Sequence, residues 1–125
     1  MASIFVGKDE RVSVSVYAWE DGDVLYADCN PPPKQQSVNE YKFVFRRLTH
    51  KDSNLLWATA RSISMAGESA LVVVLRDTIL RMFLVDWEII EHGQPVQYDA
   101  TKVDSLAPPV ARAAAEAYMS KVQIS

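Results

Sequence analysis

The alternation of apolar and polar residues near the start of the chain predicts a β-strand. Over residues 11–19, the valines and Ala18 fall on one face, and two serines, Tyr17 and Trp19 fall on the other. A period of two with β-branched residues is typical of a half-buried strand. If the valine face is core, the two aromatic rings are exposed or covered by a partner, unless the chain's own helices cover both faces of the sheet.

Two more strands complete the predicted β-rich part, residues 1–48. An Asp-Gly turn within residues 20–23 connects the first strand to a second at Val24–Asp28, which gives a β-hairpin. Three consecutive prolines then mark a loop, because proline cannot donate a backbone hydrogen bond to a central sheet. Residues 41–46 alternate again and predict a third strand with an aromatic face.

Helical spacing begins after residue 48. Thr49 is predicted as an N-cap, with Asp52 at the third helical position as an analogue of the capping-box acid. Apolar residues follow at helical spacing as far as Ala66, and Gly67 is expected to end this helix.

The most apolar stretch, residues 70–87, predicts a second helix that begins near Glu68. Three consecutive valines favour a strand locally, but the length and the three- and four-residue spacing favour a helix. A helix that is apolar on most sides is buried on most sides. Because so small a chain has little left to cover it, we expect a homo-oligomer. The predicted core, partner or oligomer contacts are Leu71, Val74, Leu75, Ile79, Met82, Phe83 and Trp87.

The last third of the chain is predicted as a connection and two short helices. Residues 86–97 are expected to be irregular, with a bend at Gly93 and Pro95. Thr101 is expected to begin a short helix that reaches Leu106, with Asp104 as a capping-box-like acid. Pro108 and Pro109 then begin an alanine-rich helix that reaches Val122.

Together these elements predict an α+β fold in a single domain over residues 1–125. An N-terminal antiparallel β-hairpin plus a third strand would occupy residues 1–48. A C-terminal bundle of three to four helices would occupy residues 49–125. A chain of 125 residues is long enough to bury a core of this kind.

Charge and composition narrow the classes of partner. The net charge of −3, with Arg46-Arg47 as the one local basic pair, argues against nucleic acid, which is bound by clustered lysine and arginine. Charged residues interrupt the apolar stretch, so we expect no membrane span. The N-terminus lacks a signal-peptide pattern, and the single cysteine, Cys29, suits a reducing compartment.

Few residues are candidates for catalysis or metal binding. His50 and His92 are the only histidines, and both are expected to be exposed at helix ends. Cys29 has no second cysteine for a metal site and, as a nucleophile, would need a histidine brought near by folding. Asp21 and Asp23 flank a glycine, but the calcium-loop pattern is absent, so they are predicted to form a turn. We therefore expect no enzyme, no metal and no cofactor.

Several short motifs follow one another between Tyr41 and Lys121, and their order is compared below with that of a known family. They are the strand-to-helix junction Phe43-Val44-Phe45-Arg46-Arg47-Leu48-Thr49, then Leu84-Val85-Asp86-Trp87-Glu88, Gly93-Gln94-Pro95-Val96, Thr101-Lys102-Val103-Asp104-Ser105-Leu106, and the helix start at Pro108-Pro109. In this order they resemble the tail assembly chaperones of tailed bacteriophages, those of siphophages in particular.

The resemblance implies a protein of the host cytoplasm that binds the tape measure protein and keeps it soluble. It also implies recruitment of tail tube subunits through a longer form made by ribosomal frameshifting, absence from the finished virion, and no catalytic residues. Two alternatives stay open. One is a minor virion protein, a tail completion or neck component that forms a ring. The other is a small cytoplasmic enzyme whose site gathers His50 or His92 with acids only on folding.

Overall fold

The fold is described from a computed structural model that covers residues 5–7, 9–32, 37–63 and 68–123. Five strands form one antiparallel sheet in the order β2-β1-β3-β4-β5. The strands are β1 Arg11–Asp21, β2 Val24–Asp28, β3 Asn39–Arg46, β4 Leu84–Glu91 and β5 Gln94–Val96. The helices are α1 His50–Ile63, α2 Glu68–Phe83, a 3₁₀ helix at Ala100–Ser105, and α3 Pro108–Val122.

The predicted α+β class, with an N-terminal hairpin and a third strand, is confirmed. The β1–β2 turn places Gly22 at a φ of 65°, in the left-handed region that glycine adopts at little cost. β1 pairs with β3 from Arg11 opposite Arg46 to Ala18 opposite Asn39.

The predicted irregular connection at residues 86–97 is wrong, because this segment is a second β-hairpin. α2 ends at Phe83, and β4 follows without a break. His92 and Gly93, with φ of 50° and 76°, form the two-residue turn, and positive φ at both positions is what a type I′ turn requires. β4 is rich in β-branched and aromatic residues, which favour a strand once β3 offers an edge to pair with.

The β4–β5 hairpin also corrects the predicted helical region at residues 49–125 and the position of Trp87. Two strands interrupt that region, and Trp87 lies in β4 opposite Phe43 rather than at a helix end. The register shifts between Val44 and Phe45, so β4 carries one extra residue at this point, as in a β-bulge.

The short helix near residue 101 exists, but its cap differs from the prediction. It is a 3₁₀ helix whose N-cap is Asp99, and the Asp99 carboxylate accepts hydrogen bonds from the backbone N–H and the hydroxyl of Thr101. Asp104 does not cap it. Its carboxylate instead pairs with Arg81 of α2 at 2.6 Å.

The α1 cap is confirmed as a reciprocal capping box. The Thr49 hydroxyl accepts from the backbone N–H of Asp52 at 3.1 Å, and the Asp52 carboxylate accepts from the backbone N–H of Thr49 at 3.0 Å. The predicted stop at Gly67 lies outside the described residues, whereas the start of α3 at Pro108 is confirmed.

The valine face of β1 is core. Val12, Val14, Val16 and Ala18 are buried, and α3 packs against β1 and β2 with a run of buried alanines. The aromatic core includes Phe43, Phe45, Phe83 and Tyr118, all fully buried. Helices thus cover one face of the sheet, while the residues that alternate with this face are exposed or half-buried.

Candidate functional site

The seven predicted contact residues are divided between the chain's own core and its periphery. Four of them, Leu75, Ile79, Phe83 and Trp87, are buried within the chain. The other three, Leu71, Val74 and Met82, are half-buried and pack against the core. Most of the apolar character of α2 is therefore used inside the chain.

Two valines of α2 remain exposed to solvent. Val72 is 40% exposed and Val73 is 61% exposed, and Leu55 on the neighbouring helix α1 is 51% exposed. We call these three residues the helix surface. Valine is a weak helix former, and at an exposed helix position packing does not favour it over a polar residue. Consecutive exposed valines in α2 therefore make the helix surface a candidate contact surface.

The helix surface was not among the predicted contacts. The 3.6-residue period identifies α2 as apolar nearly all round, but it does not tell which residues the rest of the chain covers. The signal that could have indicated this surface is the Val72-Val73-Val74 run itself, since three β-branched residues in succession are unusual in a helix.

The second exposed surface is the side of the sheet opposite the helices, which we call the open sheet face. Trp19 and Tyr26 lie opposite each other on β1 and β2, and their rings stack with centroids 6.0 Å apart and an interplanar angle of 15°. Tyr26 is 44% exposed, Val24 52% and Ile90 66%. Among the described residues, the chain's own helices cover only the opposite face of the sheet. They therefore do not cover the β1 aromatics Tyr17 and Trp19.

A cavity of about 230 Å³ lies where the sheet meets the 3₁₀ helix and the start of α3. Its walls are mainly apolar, with Tyr41, Glu91, Lys102 and Ser105 as polar members. Burial, together with the nearby negative charge of Glu91, raises the pKa of the Tyr41 hydroxyl above its ordinary value. Small-molecule sites usually measure about 300–1,000 Å³, so the size of this cavity does not favour a substrate pocket.

The side chains capable of acid–base or nucleophilic chemistry lie on separate elements of the fold. His50 is the first residue of α1, with its Nε2 atom 3.3 Å from the Asn54 amide nitrogen, whereas His92 lies in the β4–β5 turn rather than at a helix end. Cys29 is a free, exposed thiol. Although the residue is exposed, partial desolvation of its sulfur, with a hydrogen bond to Asp28 and the charge of that residue, raises the pKa of Cys29, which disfavours the reactive thiolate.

Within the described ranges, no group of three or more histidine, cysteine or acidic residues is arranged to hold a metal ion. Within the same ranges, no helix has the length and apolar character that a membrane crossing requires.

No protein-family model, no curated protein and no solved structure matches this chain.

Proposed function

We propose that this chain is a tail assembly chaperone of a tailed bacteriophage. It would bind the tape measure protein in the host cytoplasm, keep it soluble and help to recruit tail tube subunits. The observation that carries the proposal is the helix surface, where Leu55, Val72 and Val73 are exposed on two helices that pack together.

The helix surface suits an elongated amphipathic helix as its partner. Such helices bind through apolar side chains at positions i, i+3, i+4 and i+7, which pack against an apolar surface of the other protein. Fully burying one valine or leucine contributes about 1.5–3 kcal/mol, so covering the exposed parts of these three residues contributes roughly 2–5 kcal/mol. That is too little for tight binding at one position. It suits a chaperone of which many copies bind along one long helical protein.

The same surface accounts for the expectation of self-association. Copies that bind side by side along a tape measure protein would also contact one another. Apolar residues of the helix surface that the tape measure protein does not cover would be buried in the contact between neighbouring copies. A homo-oligomer is accordingly part of the proposal.

Co-expression with the tape measure protein of the same phage tests the proposal. With the wild-type chain, the tape measure protein should be recovered in the soluble fraction. Val73→Asp should return it to the pellet, because an acid on the helix surface would have to be desolvated against an apolar partner. Ser120→Asp is the control, since Ser120 is exposed on α3 and lies outside both the helix surface and the sheet.

The proposal fails if the tape measure protein is equally soluble without the chain. Recovery of the chain at a fixed ratio in purified virions would favour the alternative of a ring-forming tail completion or neck protein.

A further inference from the structure

Acidic residues dominate the open sheet face. The register places Glu40, Asp86 and Glu88 on this face through their cross-strand partners Tyr17, Val44 and Lys42. The basic residues that the strands direct to this face are Lys42 and Arg11, which leaves an excess of negative charge. Asp21 and Asp23 add further acids at the β1–β2 turn, beside the Trp19–Tyr26 stack.

One basic residue of β3 does not offset this charge. Although Arg46 is paired with Arg11 in the register, its guanidinium lies 4.6 Å from the centre of the Phe83 ring and 2.8 Å from the Asp52 carboxylate. Both partners belong to the helical layer. The positive charge of Arg46 is therefore used on the covered side of the sheet.

The open sheet face has a shape that can receive a helix. A concavity of about 750 Å³ lies along β3, β4 and β5, and its lining includes three acids and one base of this face, Glu40, Asp86, Glu88 and Lys42, together with Ile90 and Pro95. Five strands spaced about 4.8 Å apart make the face about 19 Å wide, which exceeds the 10–12 Å diameter of one α-helix with its side chains. The Trp19–Tyr26 stack and Val24 provide apolar contact at one side of the face, and Ile90 does so at the other.

We infer that the open sheet face binds a cationic amphipathic helix of another protein. Apolar side chains of that helix would pack on the aromatic stack and on Ile90, and its lysines or arginines would lie against Glu40 and Glu88 and over the faces of the Trp19 and Tyr26 rings. The excess of acids excludes nucleic acid and anionic lipid as the occupant, because both would be repelled. The open sheet face and the helix surface lie on different layers, so this partner is tested independently of the proposed chaperone activity.

Isothermal titration of the full chain with synthetic helices tests the inference. The probe is a helix of about 20 leucine and lysine residues, long enough to be stable alone, and the matched probe has glutamate in place of lysine. At about 0.15 M ionic strength, we expect the lysine helix to bind at least about tenfold more tightly than the glutamate helix.

Matched variants locate the binding. Glu40→Gln with Glu88→Gln should weaken binding of the lysine helix by about fivefold or more. The control is the double variant Asp77→Asn with Asp104→Asn, which changes the net charge by the same amount. Its two acids lie on helices, where both pair with Arg81. We expect it to change the affinity by less than about twofold. Trp19→Ser should weaken binding as well, since it removes the apolar platform while the charge stays the same.

Equal affinity for the two probes would overturn the inference, as would equal losses in the two double variants. Circular dichroism of each variant must show the wild-type spectrum, and Glu40→Gln alone serves as the milder substitution if the double variant unfolds.

Discussion

The hydroxyl of Tyr118 donates a hydrogen bond to the backbone carbonyl of Arg46 at 2.7 Å, which ties the last helix to the end of β3 across 72 residues. The same oxygen accepts from the backbone N–H of Leu48 at 3.1 Å. The Tyr118 ring stacks on Phe45 and Phe83, with centroids 4.5 and 5.9 Å away. One side chain thus joins α3, α2 and the junction between β3 and α1.

Tyr118→Phe should therefore destabilise the fold while keeping the ring contacts. It leaves the N–H of Leu48 and the carbonyl of Arg46 without a protein partner, at a cost of about 1–3 kcal/mol in the free energy of unfolding. Urea denaturation measures this cost. Tyr98→Phe is the control, because the Tyr98 hydroxyl makes a single hydrogen bond, to the Leu84 carbonyl at 3.0 Å, and should cost only about 0.5–1.5 kcal/mol. A smaller effect at Tyr118 than at Tyr98 would contradict the central role of Tyr118.

Alkaline pH should destabilise the protein through the same tyrosine. Burial raises the pKa of Tyr118 to about 12 in the folded state, against an ordinary value near 10 in the unfolded chain. Because the folded pKa is the higher one, this contribution to stability is complete below pH 10 and is lost as the pH rises from about 10 to about 12. Denaturation midpoints measured across this range should fall less steeply for Tyr118→Phe than for the wild type, and parallel curves would count against it.

The β4–β5 turn should be sensitive to the loss of its glycine. Gly93→Ala places a Cβ at a φ of 76°, a left-handed conformation that costs other residues about 1–2 kcal/mol. Space is not the cause, since a Cβ at this position would meet nothing within 4 Å. Gly7→Ala meets equally open space without a positive φ and should leave the thermal midpoint unchanged. Equal midpoints for the two variants would mean that the hairpin turn differs from the one described.

A single substitution should measure how much the α1 capping box contributes to the free energy of unfolding. Thr49→Ala removes the acceptor for the Asp52 N–H and should cost about 0.5–2 kcal/mol in the free energy of unfolding. Thr59→Ala lies within the same helix and replaces a residue of low helix propensity by the best helix former, so it should be neutral or slightly stabilising. If Thr59→Ala costs as much as Thr49→Ala, the cap contributes nothing specific.

Local signals were enough to predict several parts of this fold. Thr49 and Asp52 predict a helix start because their capping hydrogen bonds form within four residues of sequence. Pro108 predicts one because its fixed φ suits the first turn of a helix. The β1–β2 hairpin follows from strict alternation around an Asp-Gly turn. In each case the residues that carry the signal are also the residues that make the contact.

The errors arose where distant residues decide the structure. The apolar run through Trp87 fits a helix by spacing alone, but Trp87 lies in a strand because β3 pairs with it, and its indole N–H donates to the Val96 carbonyl at 2.9 Å. Likewise, Leu75 is buried and Val73 is exposed on one helix, and only the placement of the other elements distinguishes them. The helix surface could not be separated from the core for that reason.

Site-specific photo-crosslinking in cells tests the central claim most directly. A photoreactive phenylalanine analogue at position 73, in cells that also express the tape measure protein of the same phage, should give an adduct between the two proteins. The same analogue at position 120, an exposed position on α3, should give none. If position 73 yields no adduct with the tape measure protein, or position 120 yields as much, the helix surface is not the site of a tape measure chaperone.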